Sequence, residues 1–99
     1  MANKARRTHG NVFKDLGFST EEAENLRIRA DLMSRLAKRI DTQGLSQAAA
    51  AKLLHVSQPR VSDLVRGKID RFSIDTLVAM LGHAGAEVSL VVRSRRQVA

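Results

Sequence analysis

Three histidines, His9, His55 and His83, are the residues in this sequence best suited to ligate a metal or move a proton. They fall in a polar N-terminal stretch, a turn and a helix end, without the close spacing of a metal-binding set. The sequence has no cysteine, which removes a disulfide framework and a thiolate metal site. No glycine-rich loop offers backbone amides to a phosphate, and most serines stand just ahead of helical runs, where a hydroxyl serves as a cap. Tryptophan and tyrosine are absent, and the three phenylalanines read as packing groups, so RNA binding by base stacking is disfavoured. The residues therefore predict no enzyme, no metal and no cofactor. What remains is cationic chemistry. Seventeen Lys and Arg against ten Asp and Glu give a net charge of +7, which favours a polyanionic partner. The excess is uneven: residues 1–19 carry +3, 20–45 are neutral, 46–72 carry +3 and 73–99 carry +1.

A chain of 99 residues accommodates one domain, and 43% hydrophobic residues suffice for a small core. No apolar run approaches the ~18 residues of a membrane helix, and no N-terminal run resembles a signal peptide, so a cytoplasmic protein with no membrane partner is expected. Residues 1–10 read as a loose basic tail. A short apolar segment follows, in which Val12, Phe13, Leu16 and Phe18 are expected to dock onto the chain's own first helix or onto a partner. Ser19 and Glu22 fit a capping box. Leu26, Ala30, Met33, Ala37 and Ile40 then step by three and four, with Leu32 and Leu36 widening the stripe, and Gly44 suits a left-handed stop. The helix is long, and its N-terminal half is expected to project past the core.

Ser46 caps a second helix, Gln47 to Leu54. After the His55-Val56 turn, Ser57 caps a third, with Pro59 in its first turn. Gly67 ends that helix, Lys68 to Phe72 form a loop, and Ser73 caps a fourth helix running through Ala84. Met33 and Met80 read as core. Beyond Gly85 the period changes: Glu87 to Arg93 reads as a strand with Val88, Leu90 and Val92 on one face. A lone strand cannot satisfy its own backbone. The segment around Val12 or the same strand of a second copy is the candidate partner, and the second is favoured, giving a homodimer joined by an intermolecular sheet. The domain reading is a tail (1–10), an α-helical domain (11–85), a dimerisation strand (86–94) and a second tail (95–99). The fold class is all-α, a bundle of four to five helices with a C-terminal β-strand.

The stretch from Ser46 to Gly67, SQAAAAKLLHVSQPRVSDLVRG, resembles the helix-turn-helix of phage repressors of the XRE/Cro type, with a lambda-repressor-like bundle around it. Ala51 is the small residue where two crossing helices touch, and Ala50, Leu54, Val56, Val61 and Leu64 are apolar where the motif must bury. Two positions depart from the pattern. His55 stands where glycine is usual and should take a positive φ. Ile40 and Val65 occupy the places of an arginine and a glutamate that many phage repressors pair, so an apolar contact is expected there. The resemblance implies that the third helix lies in the major groove of double-stranded DNA. Gln58 would then pair with adenine, Pro59 touch a thymine methyl, Arg60 reach guanine or a phosphate, and Ser62 face the same groove. Asp63 would accept from cytosine or orient Arg60 or Arg66. Gln47, Ser57, Arg66 and Lys68 would hold phosphates.

A narrower resemblance spans residues 11–93. NVFKDLGF, the capped long helix, SQPRVSDLVRGK followed by RFSIDTL, and the terminal EVSLVVR are similar to a family of short bacterial XRE, HigA-like antitoxins, usually paired with RelE/HigB-type toxins. This implies a dimeric repressor that binds its own operator and neutralises a toxin, with Val12, Phe13, Leu16, Phe18 and the basic tail as the toxin-contacting parts. The alternatives are an interaction module acting mainly by toxin inhibition, or a stand-alone phage-type or metabolic repressor.

Overall fold

The computed structural model describes residues 11–94, and the two tails fall outside it. Five α-helices and one 3-10 turn follow in order: α1 (Val12–Asp15), α2 (Thr20–Thr42), α3 (Gln47–Leu54), α4 (Gln58–Val65), the 3-10 turn (Ile69–Arg71) and α5 (Ile74–His83).

Each α-helix starts where a short polar side chain can accept an orphan amide. Asn11 Oδ1 accepts from Phe13 N, and the hydroxyls of Ser46, Ser57 and Ser73 accept from the amides of Ala49, Arg60 and Thr76. At α2 the expected capping box forms in full: Ser19 Oγ accepts from Glu22 N, and Ser19 N donates to Glu22 Oε1.

The core gathers Leu32, Met33, Leu36 and Ile40 from α2 with Leu54 of α3, Val61 and Leu64 of α4, Phe72, and Leu77, Met80 and Leu81 of α5. Both methionines expected in the core are there. On α2 the buried line differs from the one stepped out above. Leu32 and Leu36 lie at its centre, while Leu26, Ala30 and Ala37 are half-buried at its margin. The core takes the C-terminal half of α2. In the N-terminal half Ala23 is buried, and Asn11 Nδ2 donates to its carbonyl at 3.1 Å, tying α1 to α2. Phe13 and Phe18 meet edge to face, with ring centroids 6.4 Å apart. The expectation that this segment packs on the chain's own long helix thus holds for α1 as an element, with Phe13 half-buried, whereas Val12, Leu16 and Phe18 remain exposed.

The expected C-terminal β-strand is not formed. The described residues contain no strand, and 86–94 run without a ladder. Ala86 N donates to Leu81 O, closing the end of α5, and Ala86 and Val88 lean on the core. Leu90 and Val92 are 84% and 92% exposed. The alternation of Val88, Leu90 and Val92 suits a half-buried strand, but a strand needs a neighbouring edge. This helical fold supplies none, so the three side chains expected on one buried face divide between core and solvent.

Candidate nucleic-acid interface

The compact unit α3–turn–α4 carries the expected site residues. α3 and α4 pack on each other; Ala50 is buried in the core, and Ala51, the small residue expected at the crossing, is half-buried against it. The turn between them closes with Val56 N donating to Ala51 O at 3.1 Å and His55 N to Lys52 O at 3.4 Å. This six-to-one and five-to-two pattern requires a left-handed residue between the helices. His55 is that residue, at φ +59° and ψ +41°. Its ring stacks on that of His83, with centroids 3.9 Å apart and planes 12° from parallel. Parallel rings do not aim two nitrogens at one ion. Among the described residues, no three His, Cys, Asp or Glu gather as a metal site.

α4 begins with Ser57 as its cap and Gln58 and Pro59 in its first turn. Val61 and Leu64 are buried and fix which way the helix faces. Gln58, Ser62 and Arg66, four residues apart, therefore run along the opposite side, with Pro59 beside them. Gln58, Pro59 and Arg66 are exposed and Ser62 is half-buried. Arg66 is the C-cap, Gly67 takes φ +72°, and Lys68 follows, with its N–H donating to Asp63 O. Gln47 is the first residue of α3 and exposed. Val65 is 43% exposed, so the apolar seam expected between it and buried Ile40 is not a core contact.

Arg60 and Asp63 lie elsewhere on α4. The Arg60 guanidinium sits 4.4 Å from the centroid of the Phe72 ring, and its Nη1 donates to Arg71 O at 2.7 Å. Asp63 Oδ2 accepts from Arg71 Nη1 at 3.2 Å. Arg29 of α2 reaches the same loop from below, with Nη1 donating to Ile69 O and Phe72 O. Asp63 thus pairs with Arg71 rather than with Arg60 or Arg66. Sequence reading missed Arg71, Arg29 and Asn11. The caps and turns are local in sequence, but these three act through contacts 8 to 43 residues away, with Asn11 donating to Ala23 O twelve residues on.

No helix among the described residues is long and apolar enough to cross a membrane. The family described as a helix-turn-helix domain matches over residues 12–93. A solved structure assigned to the XRE family of transcriptional regulators is similar at 36% identity and a TM-score of 0.72, over 79% of this chain and 91% of that one. No curated protein matches. The family match over most of the chain and the 36% identity to an XRE regulator over 91% of its length place it: the chain belongs to the helix-turn-helix domain family, in its XRE class of transcriptional regulators.

Proposed function

We propose that the chain is a sequence-specific DNA-binding transcriptional repressor, acting as two copies on a two-fold operator. We propose further that it is the antitoxin of a RelE/HigB-type pair that controls its own operon. The observation that carries the DNA reading is the exposed stripe of Gln58, Pro59, Ser62 and Arg66 on a helix whose other side is locked into the core. Gln58 at the leading end suits a bidentate contact to adenine, Pro59 a thymine methyl, and Ser62 either base edge. Gln47, Ser57, Arg66 and Lys68 flank the stripe and suit phosphates. An eight-residue helix reads few base pairs, so a second copy at a second half-site supplies the remaining specificity.

The antitoxin reading draws its support from the HigA-like resemblance and from α1. Val12 on α1, and Leu16 and Phe18 just after it, are exposed apolar side chains within seven residues of chain, an arrangement suited to a protein partner.

Selection from a random duplex library by the wild-type chain tests the DNA reading. One consensus is expected, and Gln58→Ala should lose preference at an adenine position, at about 1–3 kcal/mol. A variant with unchanged preference removes Gln58 from the groove. Co-expression with the product of the neighbouring gene tests the second reading. Growth arrest relieved by the wild-type chain and not by Leu16→Asp/Phe18→Asp supports it, and a neighbour without toxicity overturns it.

A further inference from the structure

We propose that Arg60 and Asp63 read no base but form a two-point clamp on residue 71, holding the Arg71 guanidinium beside the recognition helix as a phosphate-contacting cation. The inference rests on the reading of α4 as the groove helix. Arg60 and Asp63 are three apart and share one side of α4. Arg60 holds the backbone of residue 71 through its carbonyl at 2.7 Å and sits over the Phe72 ring, and Phe72 is in the core. Asp63 holds the side chain of the same residue at 3.2 Å. Arg29 fixes the carbonyls on either side from α2.

The accessibility of the pair is lopsided. The Asp63 side chain is 18% exposed and that of Arg71 53%. The carboxylate is thus the less exposed partner, and more of the guanidinium than of the acid meets solvent. A half-buried acid paired with an exposed base reduces the repulsion that an acidic residue on a DNA-binding helix would otherwise exert. It also restricts a long side chain before a phosphate arrives, which lowers the entropy cost of the contact. Arg60 keeps its charge near the duplex, but its guanidinium is held over Phe72 and one Nη1 N–H is already used, so the whole fork that would grip guanine is not free.

The experiment is a double-mutant cycle on the full chain. Anisotropy titrations use the wild-type consensus duplex and a scrambled duplex of equal length over a range of salt. Arg71→Ala should lower the slope of log K against log salt by about 0.9 on both duplexes. Asp63→Asn removes a negative charge, which by simple electrostatics strengthens DNA binding. The clamp predicts the reverse, a weakening of about threefold, the scale of one exposed ion pair. In the Arg71→Ala background the same change should strengthen binding. Equal strengthening in both backgrounds overturns the clamp while leaving the groove reading intact. Arg60→Gln and Arg60→Lys should weaken binding to every sequence alike and leave the selected consensus unchanged, whereas loss of preference at one guanine makes Arg60 a base reader. Thermal melts of each variant separate loss of folding from loss of contact. A wild-type chain that binds neither duplex overturns the clamp and the groove reading together.

Discussion

His55 pays a conformational cost at the one turn the motif cannot do without. At φ +59° a residue with a Cβ crowds the backbone, and glycine is the usual solution. The ring has a partner in His83, so the stack offsets part of that strain. The two contributions can be separated. His55→Ala keeps the strain and loses the stack, while His55→Gly loses both. His55→Gly should therefore be the more stable of the two variants by about 1 kcal/mol, measured as a shift in urea midpoint at constant m. Equal stability would mean that the left-handed turn relaxes when the ring is removed. At this scale the sequence was readable wherever the chemistry is local. The positive φ of His55, the serine caps and the full Ser19–Glu22 box all follow from residue type and a spacing of three or four. Arg60 was not readable. A guanidinium suits guanine on paper, and only the 3-10 turn and the residue after it bring the Arg71 carbonyl and the Phe72 ring against this one.

At the scale of elements, periodicity predicted helices well and faces less well. The stripe along α2 held all four core residues, Leu32, Met33, Leu36 and Ile40, but it also ran through Leu26, Ala30 and Ala37, which are only half-buried. Neighbours decide this: α5, α4 and the 3-10 turn pack on α2 and the core residues gather in its C-terminal half, while α1 is tied to the first turns. The two halves should therefore respond differently to truncation. Leu36→Ala empties a fully buried site among four helices and should cost about 2–5 kcal/mol. Leu26→Ala, at a half-buried margin, should cost about 1 kcal/mol. Denaturant unfolding of both variants checks the ratio, and similar losses would mean that the N-terminal half of α2 is as well packed as the rest. The same dependence on neighbours explains residues 86–94. Their two-residue alternation suits a half-buried strand, but pairing is a property of two segments, and sequence shows only one. α1 went unrecognised as a helix for a related reason: four residues are too few for a period, and its support is the Asn11 bridge to Ala23.

For the whole molecule, a net charge of +7 says less than where the cations are free to act. Of the bases in residues 46–72, Arg60 is bound to the loop, Arg71 is paired with Asp63, and Arg66 and Lys68 flank the end of the reading helix. Arg71 is the more exposed partner of its pair, so a phosphate that reaches it while it stays beside Asp63 makes three cations per chain around α4. Counterion release then gives a salt slope of about −3 for one chain and about −5 for two on adjacent half-sites. The slope is read on the consensus duplex with Lys4, Arg6 and Arg7 changed to Gln, so that the N-terminal bases add nothing, and sedimentation of the same complex counts the copies. A slope near −5 with two copies bound is the expected outcome. Two copies with a slope near −3 would mean that one chain carries all the phosphate contacts and the second does not engage the duplex through this face. A slope well beyond −5 would place Lys52 or Arg93 on the duplex as well, extending the contact past the motif toward the side of α3 or the C-terminal segment.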